Sequence, residues 1–258
     1  MNFENIILEL ENQVAKLTIN RPKKLNALNR KTLHEIHEAL QTCKTDHNVK
    51  VIVIIGSGEK AFVAGADIAE FSNYNTAEGK ELAAKGQELV FDFIANFPKP
   101  IIAAINGFAL GGGLELAMSA HFRVASSNAK LGLPETSLGV IPGYGGTQRL
   151  PQLVGKGRAM EMIMTAKMIS ADEALSYGLV NHVCELENLE EKVNSIIKKI
   201  LNNSPQAISA AIKAINDAYV DGVNGFNSEI EAFGQAFGTS DFKEGTSAFL
   251  NKQKPNFN

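Results

Sequence analysis

The chain has 258 residues, enough for one large domain or two small ones and for a substantial core. Apolar residues make up 45% and charged residues 21%, the balance of an ordinary soluble globular protein rather than a disordered or fibrous one. The net charge of −3 gives no basic field for nucleic acid, and no apolar run approaches the roughly 20 residues that span a bilayer. The opening Met1-Asn2-Phe3-Glu4-Asn5 lacks the positive charge and apolar stretch of a signal peptide. Cys43 and Cys184 are few and far apart, so a reduced, cytoplasmic setting is the expectation.

Apolar runs at 6–10 and 14–19 flank Glu11-Asn12-Gln13 and predict a β-hairpin, ended by Arg21-Pro22. Asn29 is placed to cap a helix with Leu33, Ile36, His37 and Leu40 on one face. Residues 49–55 are largely β-branched, the pattern of a strand buried on both faces, and Gly56-Ser57-Gly58 stops them. Residues 76–96 predict one long amphipathic helix, with Leu82, Leu89, Phe93 and Ile94 near one side. Pro98-Lys99-Pro100 breaks it and launches a strand at 101–105; the next strand falls at 122–125. From Gly143 onward the chain reads as mostly helical. Ser170-Ala171-Asp172-Glu173 resembles a capping box, 179–183 a short strand, and helices come next near 189–201, 205–219 and 224–237, with a last one opening at Asp241. Strands alternating with helices, then a helical end, predict an α/β fold: a core over 1–200 and a helical extension over 201–258 that packs on a neighbour.

The stretch Asn106-Gly107-Phe108-Ala109-Leu110-Gly111-Gly112-Gly113-Leu114-Glu115 carries the strongest chemical signal. Three consecutive glycines between a strand and a helix are costly unless the backbone has a task. That task is to present bare N–H groups at a helix start, where they are unpaired and the dipole favours negative charge. Close helix–strand packing accounts for one or two glycines, but not for three followed by Leu-Glu. Glu115 lies in an otherwise apolar run, which would raise its pKa and makes it a candidate acid or base. Glu135 follows Pro134 and would open a short helix. Anion-binding amides beside paired acids point to acid/base chemistry on a carbonyl compound. An oxyanion site needs two amides aimed at one oxygen, and Ala66 and Gly112 supply them if their loops converge.

Other motifs have two readings each. The small residues of Phe62-Val63-Ala64-Gly65-Ala66-Asp67-Ile68 permit close approach to a ligand or simply a tight turn, with Asp67 placed to cap the helix after it. Ile141-Pro142-Gly143-Tyr144-Gly145-Gly146-Thr147-Gln148-Arg149-Leu150 is a second glycine-rich helix entry. There Thr147 is a candidate cap, Gly143 and Tyr144 are candidate substrate contacts, and Arg149 is an ion-pair anchor for the turn. Gly56-Ser57-Gly58-Glu59-Lys60-Ala61 fits a dinucleotide fingerprint but does not open a helix at once. His34 and His37 lack a third metal ligand, and no Ser or Cys has a nucleophile-elbow context. His121 and His182 read as strand-edge residues.

Taken together, the motifs resemble an enoyl-CoA hydratase of the crotonase superfamily, nearest to bacterial short-chain 3-hydroxybutyryl-CoA dehydratases. The resemblance runs from Ile6-Ile7-Leu8-Glu9, through Ile19-Asn20-Arg21-Pro22 and Leu25-Asn26-Ala27-Leu28, to Ala248-Phe249, which is nearly the whole chain. Ala64-Gly65-Ala66-Asp67-Ile68 and the triple-glycine stretch mark the superfamily; Glu115 and Glu135 mark the hydratase branch. The resemblance implies an α/β spiral of ββα units with a helical trimerisation region, assembled as trimers or paired trimers. It implies that the Ala66 and Gly112 amides bind the thioester oxygen, that Glu115 activates water, and that Glu135 holds that water and serves proton transfer at the α-carbon. Ala64, Ala66, Asp67, Ile68, Gly112, Leu133, Gly143 and Tyr144 would line the acyl-CoA site, and Lys252 or Lys254 would reach a CoA phosphate. The implied reaction is reversible syn hydration of short trans-2-enoyl-CoA, with the CoA thioester as substrate and neither metal nor redox cofactor. Isomerase, decarboxylase and ring-forming branches share the oxyanion amides but often keep one glutamate, and a hydratase-like RNA binder would need a basic stripe. Two departures stand out: Leu133 where Gln is frequent, and His121 where Asp is common.

Overall fold

β-Branched side chains on both faces of a strand call for cover on both sides, and the fold supplies it. The computed structural model describes residues 3–257. β1 (Ile6–Glu11) and β2 (Val14–Ile19) form the expected antiparallel hairpin. β2 then pairs in parallel with β3 (Val51–Gly56), which continues through β5 (Ile101–Ile105), β7 (Phe122–Ser126) and β10 (His182–Cys184). On one face of this six-stranded sheet Ile52, Ile54, Ile101 and Ala103 join the main core. On the other, Val51, Val53, Ile102 and Val124 meet Leu189, Val193 and Ile197 of α8 (Leu189–Ile200).

A second sheet, with strand order β4-β6-β8-β9, is built from pieces of three residues each: β4 (Ala61–Val63), β6 (Phe108–Leu110), β8 (Lys130–Gly132) and β9 (Met168–Ser170). After each of β3, β5 and β7 the chain lays one short strand into this second sheet and then turns toward a helix. This repetition is the spiral of ββα units. Asn26 and Asn106 lock its corners. Asn106 Nδ2 donates to the carbonyls of Gly56 and Gly58 at 2.8 and 2.6 Å, and Asn26 Nδ2 to those of Ser57 and Ala61 at 3.0 and 2.8 Å.

The helices follow the sequence pattern with one difference. α1 (Arg30–Thr45) starts at Asn29, whose side chain accepts from the Thr32 amide. The helix expected over 76–96 is divided: α2 (Thr76–Gly86) passes through a π-helical turn at Gln87–Phe91 into α3 (Asp92–Ala95). The extra residue in that turn rotates the helix face, and Phe91 stacks on Tyr144 with ring centroids 4.6 Å apart. α4 (Gly112–Ser119) is buried along its whole length. Then come α5 (Gly146–Val154), α6 (Lys156–Thr165) and α7 (Ala171–Tyr177), the last with the predicted Ser170–Glu173 capping box. α9 (Pro205–Asp217), α10 (Gly225–Ala236) and α11 (Ser240–Leu250) complete the chain. α10 buries none of its residues and exposes Phe226, Ile230 and Phe233. A cleft of about 1130 Å³ separates α9 and α10 from Lys50, Pro98 and Lys99; no sequence-predicted site residue lines it. Among the described residues, no helix is long and apolar enough to cross a membrane.

Candidate active site

The site is organised around the first turn of α4. Gly113 is there because of space: a Cβ at this position would overlap the Val63 carbonyl, so only glycine lets α4 lie against β4. Gly111 is there because of conformation, with φ +52° and ψ −125°. The close approach brings the two sequence-predicted amides together. A Cβ built on Gly112 would stand 3.7 Å from the Ala66 nitrogen. Leu28 fixes the direction of the Ala66 amide. It donates to Gly65 O at 2.9 Å and accepts from Asp67 N at 2.7 Å, so the intervening Ala66 N–H faces away from Leu28. Neither the Ala66 nor the Gly112 amide has a hydrogen-bond partner among the described residues. Two free amides on converging loops are the geometry an oxyanion requires.

Glu115, one turn into α4, is 1% exposed. Its Oε1 accepts from the amides of Tyr144 and Gly146, both at 2.8 Å, which leaves Oε2 for another donor. Burial raises its pKa to about 7 against these two amides, and the nearby charge of Glu135 adds to the rise. Glu135 opens a 3₁₀ turn (Glu135–Leu138) after Pro134, as the sequence predicts. Its Oε1 lies 2.7 Å from where a Cβ on Gly111 would be, so the carboxylate rests on the glycine run itself. Its Oε2 is buried and has no hydrogen-bond partner, and burial raises its pKa as well. Two carboxyls that each resist ionisation and repel one another favour a state in which one holds a proton and the other does not.

The remaining predicted positions divide into two groups. Ala64 and Ala66 are half-buried, and Ile68 is exposed at the edge of the same loop. Gly143 accepts from Gln87 Nε2 at 2.6 Å, tying its turn to the π-helical segment. The Tyr144 ring is buried beside Gly112 and against Phe91, so the residue serves the site through its backbone amide on Glu115. Leu133 is fully buried in the main core. Asp67 does not cap the turn after it; its carboxylate pairs with Arg21 at 2.9 Å, and that guanidinium holds its pKa below the usual range. Thr147 is not a cap either. The N-cap of α5 is Gly145 at φ +95°, because the amides at this helix start are turned onto Glu115. Arg149 does anchor the turn, pairing with Asp92 at 2.6 Å and donating to Tyr144 O at 3.0 Å. Lys252 and Lys254 are exposed near the chain end. His37 is taken by the Leu89 carbonyl at 2.7 Å, and the described residues contain no cluster of three potential metal ligands. Arg21, Asn26 and Gln87 shape the site but were not singled out for that role in the sequence, where nothing local marks their distant carbonyl partners.

A spiral of ββα units with two free amides at one helix start, a buried Glu115 and a half-buried Glu135 beside them, is the arrangement that the crotonase resemblance implies. The model of the enoyl-CoA hydratase/isomerase family matches residues 9–258, and the chain belongs to that family. It is 50% identical over 258 residues to the crotonyl-CoA hydratase of Syntrophomonas wolfei subsp. wolfei, covering 100% of this chain and 99% of the relative. It is 48% identical to the short-chain-enoyl-CoA hydratase of Clostridium acetobutylicum, covering 98% and 97%. The crystal structure of enoyl-CoA hydratase from Bacillus anthracis superposes with a TM-score of 0.92 at 41% identity, covering 98% of this chain and 99% of that one.

Proposed function

We propose that this protein is an enoyl-CoA hydratase that adds water, reversibly and with syn geometry, across the double bond of short-chain trans-2-enoyl-CoA, giving (3S)-3-hydroxyacyl-CoA. The observation that carries this reading is the pair of carboxyls beside the free Ala66 and Gly112 amides, one of them pinned through a single oxygen. The full-length likeness to relatives named for crotonyl-CoA and short-chain enoyl-CoA supports the substrate class.

The thioester oxygen accepts from the two amides as it gains charge in the transition state. One such donor is typically worth about 2.7–4 kcal/mol. Ionised Glu115 takes a proton from water on Oε2 while the water oxygen bonds to the β-carbon. Protonated Glu135 gives its proton to the α-carbon, and the proton gained by Glu115 returns through solvent. The elements of water are added with no net oxidation or reduction, so the chemistry calls for neither metal nor redox cofactor. Ala64, Ile68 and Gly143 border the acyl-CoA, and Leu133 acts from the core two residues before Glu135. The protein assembles as a homotrimer or a pair of trimers, with residues 201–258 as the assembling extension and the exposed apolar face of α10 covered by a second copy. Its setting is the cytoplasm, in keeping with two free cysteines.

The test is a kinetic comparison of C4 to C16 trans-2-enoyl-CoA substrates, following loss of the conjugated thioester absorbance. Preference for C4 is expected. Equal use of long chains would overturn the short-chain assignment, and no loss of absorbance with any substrate would overturn the hydratase reading.

A further inference from the structure

At the end of α4 opposite the free amides, a cavity of about 250 Å³ opens between the core and α9. Its wall contains Arg123, Arg149 and His121 but no carboxylate. Arg149 is neutralised by Asp92. Arg123 is not neutralised. It is 4% exposed and forms no ion pair among the described residues. Nε donates to Leu179 O at 2.8 Å, and Nη1 to Ala120 O at 2.8 Å and Ala117 O at 3.3 Å, which caps the C-terminus of α4. Nη2 has no partner among the described residues. Burial alone pulls this guanidinium's pKa down to about 10, with no acid holding it up.

His121 presents a second unmet donor. Its Nδ1 accepts from the Ile101 amide at 2.8 Å, which places the ring proton on Nε2. Nε2 is buried without a hydrogen-bond partner. The nearby Ala95 carbonyl faces this ring but is engaged by Asn216 Nδ2 at 2.7 Å. A buried cation without a counter-ion and a buried N–H without an acceptor are both unfavourable, and one anion between them relieves both.

We propose that this cavity binds a small inorganic anion held by Arg123 and His121. The volume accommodates a halide with water or a phosphate-sized oxyanion. Ser119 and Gln152 lie in the same wall, and Asn216 bonds α9 to Ala95 there. The bound anion therefore stabilises the seat of α9 on the core and leaves the paired glutamates untouched. The site does not depend on the hydratase reading.

The test compares thermal midpoints in gluconate, chloride and phosphate at constant ionic strength, for the wild type and for His121→Asp. The variant brings its own carboxylate to Arg123. Chloride or phosphate raises the wild-type midpoint by about 2–5 °C over gluconate, and the variant loses that response. Whichever anion acts identifies the ligand as halide or oxyanion. A wild-type midpoint indifferent to the anion, or a response equally large in the variant, overturns the proposal. Wild-type crystals grown with bromide or with selenate provide a readout independent of how the variant folds. An anomalous peak from either, in contact with Arg123 and His121, is expected; absence of both peaks overturns the site.

Discussion

The two carboxyls of the candidate site are held in opposite ways. Glu115 belongs to a buried helix, and its Oε1 is gripped by two amides of the α5 entry turn. Glu135 starts a single 3₁₀ turn, rests on Gly111, and has one oxygen buried with no partner. The first is positioned by the fold alone. The second is positioned by contact with the glycine run, and its Oε2 meets no donor from the described residues. Both sites raise the pKa, so the difference is in rigidity rather than in the direction of titration.

The hardest test of this contrast is removal of each charge in turn. Glu115→Gln and Glu135→Gln are each expected to lower turnover of crotonyl-CoA by about 10²–10⁴-fold, the usual range for a general acid or base. Circular dichroism should show both variants folded, since Gln keeps the shape and an acceptor oxygen. Near-wild-type turnover in both would remove the acid/base assignment. Loss in only one would leave a single working carboxyl and break the pairing.

A smaller effect is expected from the surface on which Glu135 rests. Gly111→Ala puts a side chain at φ +52° and a Cβ 2.7 Å from Glu135 Oε1. A displacement of about 1 Å costs on the order of 10²-fold in rate. Turnover should therefore fall by about that factor, while Glu115, held from the other side, keeps its raised pKa. That pKa is measurable by carboxyl-resolved NMR. A normal Glu115 pKa in Gly111→Ala would mean that the two carboxyls are not independently held.

The sequence revealed one half of this site more readily than the other. Glu115 stood out because a carboxylate in an apolar, glycine-led helix start has no surface explanation. The spiral's long strands and helices were equally legible, since each carries its own hydrophobic pattern. The strands of the second sheet were not: three residues such as Ala61–Val63 or Lys130–Gly132 are too few to show a period, and their partners are supplied by other turns of the spiral. Asp67 and Thr147 had the composition of caps, yet tertiary partners prevailed: Arg21 claimed the carboxylate of the first, and the need to aim amides at Glu115 moved the cap of α5 to Gly145. The convergence of Ala66 and Gly112 depends on Gly113 passing Val63, a contact between distant parts of the chain that no local pattern encodes.

The burial of Glu115, which outweighs the two amides that grip it, also has a thermodynamic signature. Its pKa rises from an ordinary value of 4.5 to about 7 in the folded protein. The folded state therefore binds a proton that the unfolded state has already released between those values. By linkage, the stability owed to this group is fully present below about pH 4.5, falls as pH rises through that window, and is gone above about pH 7. Glu115→Gln lacks this titration but keeps an oxygen for the Tyr144 and Gly146 amides. The stability of the variant relative to wild type should thus climb between about pH 4.5 and 7 by about 3 kcal/mol. Urea unfolding of both proteins across that range measures the difference and cancels the shared titrating groups that lie away from Glu115. A flat difference would mean that the two amides offset burial completely and that Glu115 ionises near its ordinary pKa. Glu135→Gln should show a weaker slope, because its carboxyl is less buried and rests on a short turn. Equal slopes in the two variants would erase the distinction between a carboxyl enclosed within its helix and one only half-enclosed beside it.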